Sequence, residues 1–161
     1  YNIMPDRIET GTFLCYTAGT GGKIQVHNCN FEHVEPVLSK LEEAGCKIFK
    51  DKNLIVLEAP KRLKAVDIQT LPYPGFPTDM QSVFLSTLTT AKGTSVITEN
   101  LFENRFKCAG ELSRMGANIS VSSSTAVVKG VRKLVGNSVK ASDLRGGAAL
   151  VEASIKAKGI S

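Results

Sequence analysis

The stretch Leu41-Glu-Glu-Ala-Gly45-Cys-Lys-Ile48 recurs as Leu112-Ser-Arg-Met-Gly116-Ala-Asn-Ile119, with a spacing of 71 residues between the two copies. The register holds without a gap over about fifty residues. Within that span the same spacing pairs further glycines and apolar residues: Gly22 with Gly93, Val56 with Val127, Leu63 with Leu134, and Ile68 with Val139. A repeat at a fixed period indicates one supersecondary unit that is built more than once, with the copies packed against each other.

Each copy has the periodicity of a mixed helix and strand unit. In the second copy, apolar residues at helical spacing predict a helix from Thr78 to about Ala91, and Gly93 ends it because glycine tolerates a positive φ. Next come a strand at 94–98, a helix at about 103–115, two strands at 118–121 and 125–128, and a closing strand at 138–141.

The first copy follows the same order. It has a helix at about 8–19, a strand at 23–27, a helix at 32–44, and strands near Lys47, Leu54 and Val66. A third copy begins at Ser142, continues through a helix rich in alanine and glycine, and is incomplete at Ser161. The three units therefore cover about 6–70, 77–141 and 142–161 of one domain spanning 1–161.

Three like units predict an α/β (α+β) fold of repeated βαβαββ units with pseudo-threefold symmetry. We expect the sheets outside and the first helix of each unit inside. Small residues at 146–149 (Gly-Gly-Ala-Ala) and 86–87 (Ser-Thr) would let the three inner helices pack closely.

The composition is that of an ordinary globular domain, with 42% hydrophobic and 22% charged residues. No apolar run approaches the roughly 18 residues that span a bilayer, and the amino end lacks the pattern of a signal peptide. We therefore expect a soluble, cytoplasmic protein without a membrane partner. The chain starts at Tyr1 rather than Met and stops where we expect a new strand to begin, so we interpret it as a truncated piece.

Cysteines, histidines and net charge limit the possible functions. The four cysteines stand far apart without a C-x-x-C pair, so we expect reduced, mostly buried thiols: Cys15, Cys29, Cys46 and Cys108. His27 and His33 lack ligand spacing, so we expect both at the surface and predict neither a metal nor a cofactor. A net charge of +5 suits either nucleic acid or an anionic small molecule, and the scatter of Lys and Arg weakens the first.

The amino ends of the inner helices are the expected place for chemistry. Three parallel helix starts would collect unpaired N–H groups and partial positive charge into an anion site. Polar residues stand at each start: 5–7, 77–79 and 142–145. Thr78 and Gln81 also form a capping-box pattern, which gives Asp79 a structural explanation, and Asp143 is first of all a helix cap. The residues alone leave the structural and the catalytic role open.

Two arginines stand at predicted helix starts, where their charge opposes the helix dipole unless an anion compensates it. Arg105 follows 100–104 (Asn-Leu-Phe-Glu-Asn), and Arg145 follows Asp143 and Leu144. They indicate an anionic ligand more directly than the net charge does. Single surface arginines of this kind are common, so an ordinary surface role stays open as well.

Five strings resemble, in order, those of the UDP-N-acetylglucosamine enolpyruvyltransferases: residues 5–12 (PDRIETGT), 76–81 (FPTDMQ), 102–106 (FENRF), 111–116 (ELSRMG) and 143–145 (DLR). The likeness covers essentially the whole chain. It implies two domains, each an inside-out barrel of three βαβαββ units. It also implies transfer of the enolpyruvyl group of phosphoenolpyruvate to the 3-hydroxyl of UDP-N-acetylglucosamine with release of phosphate, the first committed step of peptidoglycan synthesis.

The resemblance also implies roles for individual residues. Asp79 would contact the acceptor hydroxyl and act as its general base. The reaction would pass through a tetrahedral phospholactoyl adduct. Leu101 would touch the UDP-sugar through its backbone, Arg105 and Arg145 would face phosphoenolpyruvate, and Asp143 would orient its neighbours. No metal or cofactor is implied.

The chain departs from the family pattern in what it lacks. The family's catalytic cysteine, the target of the antibiotic fosfomycin, lies on a loop of the other domain and matches none of the four cysteines here. The partner domain's lysine, asparagine and arginines are missing too, as is a last arginine expected beyond Ser161. We therefore expect the chain alone to be inactive without its second domain. The alternatives are a 5-enolpyruvylshikimate-3-phosphate synthase-like domain and a non-catalytic basic RNA-binding module.

Overall fold

The computed structural model describes residues 3–161, and its elements follow the repeat. In the first unit they are α1 (Arg7–Thr20), β1 (Lys23–His27), a 3₁₀ turn (Phe31–Val34), α2 (Glu35–Glu43), β2 (Lys47–Asp51), β3 (Leu54–Glu58) and β4 (Ile68–Gln69). The second unit has a 3₁₀ turn (Thr78–Met80), α3 (Gln81–Leu88), β5 (Thr94–Thr98), α4 (Cys108–Arg114), β6 (Asn118–Ser122), β7 (Thr125–Lys129) and β8 (Leu134–Val135). The third contributes α5 (Leu144–Lys156) and β9 (Ala157–Lys158).

Strand register confirms the repeat. Lys23 of β1 lies opposite Glu58 of β3, and Thr94 of β5 lies opposite Lys129 of β7. These two pairs are related by the same spacing of 71 residues that relates the sequence strings. The two hairpins are therefore copies of one structure.

The strands form three separate sheets, with strand orders β1-β3-β2, β4-β5-β7-β6 and β8-β9. The short strand β4 ends the first unit and runs parallel to β5 of the second, while β8 ends the second unit and runs parallel to β9 of the third. Each unit thus adds a strand to the sheet of the next unit. This connection holds the units together around their helices.

The first helices of the units, α1, α3 and α5, pack side by side in the interior. Every residue of α3 is buried. The Tyr16 hydroxyl donates to the Ala148 carbonyl at 2.7 Å, which joins α1 to α5. A Cβ on Gly19 would lie 2.2 Å from Glu152 Oε1, so the Glu152 side chain occupies the space that Gly19 leaves open on α1. The predicted arrangement, with the first helices inside and the sheets outside, is confirmed. The role given to Gly146 and Gly147 is not, because an added Cβ there would meet Asp143 and Ala141 and not a neighbouring inner helix.

Two aspartates begin α1 and α5. Asp6 Oδ1 accepts hydrogen bonds from the amides of Ile8 and Glu9 at 2.7 and 3.1 Å. Asp143 Oδ1 accepts one from the amide of Gly146 at 2.7 Å. Such caps stabilise a helix by about 0.5–2 kcal/mol. Asp143 is therefore a helix cap, as its position predicted.

Three predicted elements differ from the structure. The helix expected from Thr78 to about Ala91 ends at Leu88, before it reaches Gly93. The helix expected at 103–115 occupies only Cys108–Arg114, because Asn104 has a φ of 59°, which breaks a right-handed helix. The strand expected at 138–141 is absent, and the unit closes instead with Leu134–Val135. A ladder needs a partner, and within residues 3–161 no strand lies beside 138–141.

The four cysteines are free and buried, as expected. Burial raises the pKa of the Cys46 thiol and that of the Cys108 thiol to about 11. His27 is exposed, whereas His33 is half-buried with its Nε2 3.2 Å from Asn30 Nδ2. Over the described part of the chain, no helix has the length and apolar character to cross a membrane.

Candidate active site at the amino ends of the inner helices

Three residues singled out in the sequence meet where α3 and α5 begin. Asp79 lies on the 3₁₀ turn that leads into α3, Arg145 is the second residue of α5, and Arg105 lies in the turn before α4. Arg105 Nη2 is 3.5 Å from Asp79 Oδ1, and Arg145 Nη2 is 3.2 Å from Asp79 Oδ2. The fold therefore brings one carboxylate between two guanidiniums from separate units.

This cluster is open to solvent and carries a positive excess. The side chains of Arg105, Arg145 and Asp79 are 26%, 30% and 38% exposed. Ion pairs this exposed contribute at most about 1 kcal/mol to stability. Two guanidiniums around one carboxylate leave a net positive charge, and a planar guanidinium suits phosphate or carboxylate oxygens. The cluster can therefore hold an anionic group while keeping a proton acceptor beside it.

The positive charge does not come from bare helix amides. We expected three unpaired amino ends to form the anion site, but Asp6 and Asp143 already accept hydrogen bonds from amides at two of them. A capped terminus has fewer donors to offer and carries a negative charge of its own. That expectation was wrong for α1 and α5, and the arginine side chains supply the charge instead.

Arg105 is held by stacking rather than by a helix terminus. It lies three residues before α4 begins at Cys108, so the argument from the helix dipole was wrong for this arginine. Its Cζ atom lies 4.7 Å from the centre of the Phe102 ring, within cation–π range. Arg145, by contrast, does lie in the first turn of α5.

Beneath this cluster lies a buried carboxylate, Glu99, which is only 3% exposed. Its Oε1 accepts hydrogen bonds from the Thr70 hydroxyl at 2.8 Å and from the amides of Leu101 and Phe102 at 2.9 and 3.2 Å. Its Oε2 accepts one from the Thr78 hydroxyl at 2.8 Å. Glu99 was not among the residues predicted from the sequence. The available signal was an acidic residue directly after the predicted strand at 94–98, in front of the FENRF string.

The capping box predicted from Thr78 and Gln81 does not form. The Thr78 hydroxyl donates to Glu99 instead of capping the helix, and the turn begins after Pro77. Gln81 is fully buried, and its Oε1 accepts a hydrogen bond from the Ser82 hydroxyl at 3.1 Å. The prediction failed because a buried carboxylate competes for the threonine hydroxyl.

Leu101 lines a groove beside the cluster, of about 630 Å³. The wall consists of the segment 99–106 together with Ser123 and Ser124. The Leu101 side chain is 37% exposed, whereas its amide already donates to Glu99. A ligand that contacts the Leu101 backbone therefore has the carbonyl available and not the amide.

The chain matches a known protein family and named relatives over nearly its whole length. The model of the EPSP synthase (3-phosphoshikimate 1-carboxyvinyltransferase) family matches residues 1–160. A UDP-N-acetylglucosamine 1-carboxyvinyltransferase from Thermodesulfovibrio yellowstonii is 50% identical over 158 residues, covering 98% of this chain and 38% of the relative. One from Desulfofundulus thermocisternus is 51% identical over 159 residues, covering 99% of this chain and 65% of the relative.

Solved structures show the same fold. The enolpyruvyl transferase NikO from Streptomyces tendae matches with a TM-score of 0.84 at 21% identity, covering 96% of this chain and 37% of that one. An EPSP synthase from Acinetobacter baumannii matches with a TM-score of 0.74 at 15% identity, covering 99% and 38%. The chain thus spans well under half the length of both solved relatives. At these identities the likeness confirms the fold class predicted from the repeat.

Proposed function

The chain belongs to the EPSP synthase family of carboxyvinyltransferases, and we propose that it forms most of one domain of a UDP-N-acetylglucosamine 1-carboxyvinyltransferase. About 50% identity to relatives of that name over nearly the whole chain supports this assignment. The observation that carries it is the position of Asp79 between Arg105 and Arg145, at the amino ends of two inner helices.

The proposed reaction moves the enolpyruvyl group of phosphoenolpyruvate to the 3-hydroxyl of UDP-N-acetylglucosamine and releases phosphate, the step that starts peptidoglycan synthesis. Asp79 acts as general base toward the acceptor hydroxyl. A base needs hydrogen-bond reach to the proton that it removes, and the exposure of the Asp79 carboxylate allows a substrate hydroxyl to approach. Leu101, in the groove beside it, contacts the sugar nucleotide through its carbonyl.

The two arginines hold the phosphoenolpyruvate side. Their guanidiniums lie 3.5 and 3.2 Å from Asp79, longer than the roughly 2.7–2.9 Å of a strong charge-assisted hydrogen bond, so these contacts are weak enough for a phosphate to replace. In the transition state the same groups stabilise negative charge that develops on the tetrahedral adduct. Asp143 supports Arg145 by fixing the first turn of α5.

We further propose that the 161-residue chain needs a second domain to turn over substrate. The cysteine that the family uses in catalysis belongs to a loop of that other domain, and the four cysteines here are all buried. Four reduced, buried thiols also suit a cytoplasmic location. The absence of a nucleic-acid or membrane partner stays a prediction.

One rival function has a specific observation in its favour, because the matching family model carries the name of EPSP synthase. Its substrate would be a phosphorylated carbocycle rather than a sugar nucleotide. Identity to the solved EPSP synthase is 15%, against about 50% to the sugar-nucleotide enzymes, which favours the latter.

Supplying each acceptor substrate separately distinguishes the two functions. The full-length parent enzyme is supplied with phosphoenolpyruvate and either UDP-N-acetylglucosamine or shikimate 3-phosphate, and phosphate release is followed. We expect phosphate release only when the acceptor is the sugar nucleotide. Release only with shikimate 3-phosphate would replace the proposal by its rival, and release with neither acceptor would reject both.

A further inference from the structure

We propose that Glu99 is a positioning residue, which sets the relative places of the acceptor-side and phosphate-side groups of the site without touching substrate. The inference rests on the proposed function, because it assigns Glu99 a role in that same reaction. It starts from the four hydrogen bonds that the buried carboxylate accepts.

Glu99 joins three short segments, and two of its partners, Thr70 and Thr78, lie 29 and 21 residues before it in the chain. Thr70 directly follows β4 of the first unit, Thr78 begins the turn that carries Asp79, and Leu101 with Phe102 forms the wall of the groove. Thr70 extends the network, because its hydroxyl accepts a hydrogen bond from the amide of the residue after Glu99 at 2.9 Å. One side chain thereby links two units and the groove.

Three of the four hydrogen bonds of Glu99 involve or adjoin a proposed functional group, and only the bond from Thr70 does not. Thr78 is the neighbour of Asp79 in the chain, so the Thr78–Glu99 bond fixes the turn that orients the base. The amide of Phe102 donates to Glu99, and the Phe102 ring stacks on Arg105. The base and one phosphate-side guanidinium are therefore positioned from a single carboxylate.

The fold itself does not require this carboxylate. At the spacing of 71 residues, the position equivalent to Glu99 in the first unit is Asn28, which is exposed and has a φ of 56°. The first unit builds the same hairpin in the same register without a buried acid. Burying a carboxylate costs free energy even when neutral donors satisfy it. In the second unit the buried carboxylate lies beside the candidate site, where a role in positioning its groups explains why it is kept.

Substitution of Glu99 in the full-length parent enzyme tests the inference. In Glu99→Gln, the amide oxygen can keep the three donors of Oε1, so we expect kcat within about tenfold of wild type. Glu99→Ala loses all four bonds. Because displacements near 1 Å can cost about 100-fold in rate, we expect kcat to fall by that factor. Glu152→Gln is the control for lost stability, since it also alters a buried carboxylate and should weaken the fold, but Glu152 lies near the carboxyl end of α5 and away from the cluster.

Hydrogen exchange gives a readout that does not depend on turnover. The amides of Leu101 and Phe102 donate to Glu99, so we expect their exchange to accelerate at least tenfold in Glu99→Ala and to stay unchanged in Glu152→Gln. Thr78→Val, which removes one bond, serves if Glu99→Ala does not fold, and should lower kcat about tenfold, with Thr78→Ser restoring it.

The proposed function and the positioning role of Glu99 would be rejected by different results. A wild-type parent that releases no phosphate with UDP-N-acetylglucosamine rejects the proposed function, and unprotected amides at 101 and 102 in that same protein would reject the positioning as well. An active parent in which Glu99→Ala, or Thr78→Val in its place, retains wild-type kcat rejects the positioning alone. So does a control variant that loses as much activity as Glu99→Ala.

Discussion

Lys156 and Glu152 form a buried ion pair on α5, and replacing Lys156 by Met should destabilise the protein strongly. Glu152 is fully buried and Lys156 has 5% of its side chain exposed, with Nζ 3.4 Å from Glu152 Oε1. Nζ also donates to the Ser86 carbonyl in the last turns of α3. Met fills a similar volume, so the loss comes from the charge and not from a cavity.

The size of the effect follows from the burial of both groups. Removing one partner of a buried pair costs about 3–5 kcal/mol, because the other charge is left uncompensated. Glu152→Gln should cost less than Lys156→Met, since the ammonium keeps its carbonyl acceptor on Ser86. The double variant has no buried charge and should recover most of the loss. It should not reach the gain of about 1–4 kcal/mol that apolar replacements can give, because the glutamine amide stays buried.

The loss should depend on pH in a defined direction. Burial raises the pKa of Glu152, and Lys156 counteracts that rise. Without Lys156 the pKa of Glu152 in the folded chain lies further above its unfolded value. A group of this kind contributes its full stability below the unfolded pKa, near 4.3, and loses it as pH rises through the folded pKa. Lys156→Met should therefore be nearest to wild type in acid and furthest from it at neutral pH.

Urea denaturation of the 161-residue chain, followed by circular dichroism at pH 7 and at pH 4.5, measures all four proteins of the cycle. The reasoning is refuted if Lys156→Met lies within 1 kcal/mol of wild type at pH 7, or if the double variant is as unstable as Lys156→Met.

Four further predictions concern other features of the chain. Gly130→Ala should destabilise by about 2–4 kcal/mol, because the new Cβ would lie 1.8 Å from the Ala91 carbonyl oxygen. Gly110→Ala, in α4 with nothing within 4 Å of the new Cβ, should stabilise by about 0.5–1 kcal/mol, and denaturation curves that rank the two equally would contradict both. A thiol reagent at pH 8 should label neither Cys46 nor Cys108 before unfolding, since their pKa is raised to about 11 and both are buried. A label on either cysteine of the native chain, detected by mass spectrometry, would contradict this. The 161-residue chain alone should release no phosphate from phosphoenolpyruvate, and release proportional to its concentration would overturn that.

Local patterns predicted most of the strands, because successive side chains along a strand point to opposite faces of the sheet. The strands at 23–27 and 94–98 occupy the predicted residues. The repeat of 71 residues then fixed the relation between the hairpins, since equivalent residues take equivalent places in the ladder. Long-range order was thus accessible from self-comparison.

What escaped prediction depends on tertiary contacts. The left-handed Asn104 shortens α4. Asparagine adopts that conformation more readily than other non-glycine residues, but the string FENRF alone does not show that it does so here. Thr78 had two possible partners, and only the packed structure shows that buried Glu99 accepts the hydrogen bond of its hydroxyl. The meeting of Asp79 with both arginines joins separate units, so helix starts predicted the right end of the domain but not the atoms that meet there.

The most direct test of the proposed site is the turnover number of the full-length parent enzyme with Asp79→Asn, measured as phosphate release from phosphoenolpyruvate and UDP-N-acetylglucosamine. The amide keeps the shape of the side chain but cannot accept the proton, so kcat should fall by about 10²–10⁴ with the folded structure retained. A folded Asp79→Asn enzyme with the turnover number of wild type would contradict the assignment of Asp79 as the base.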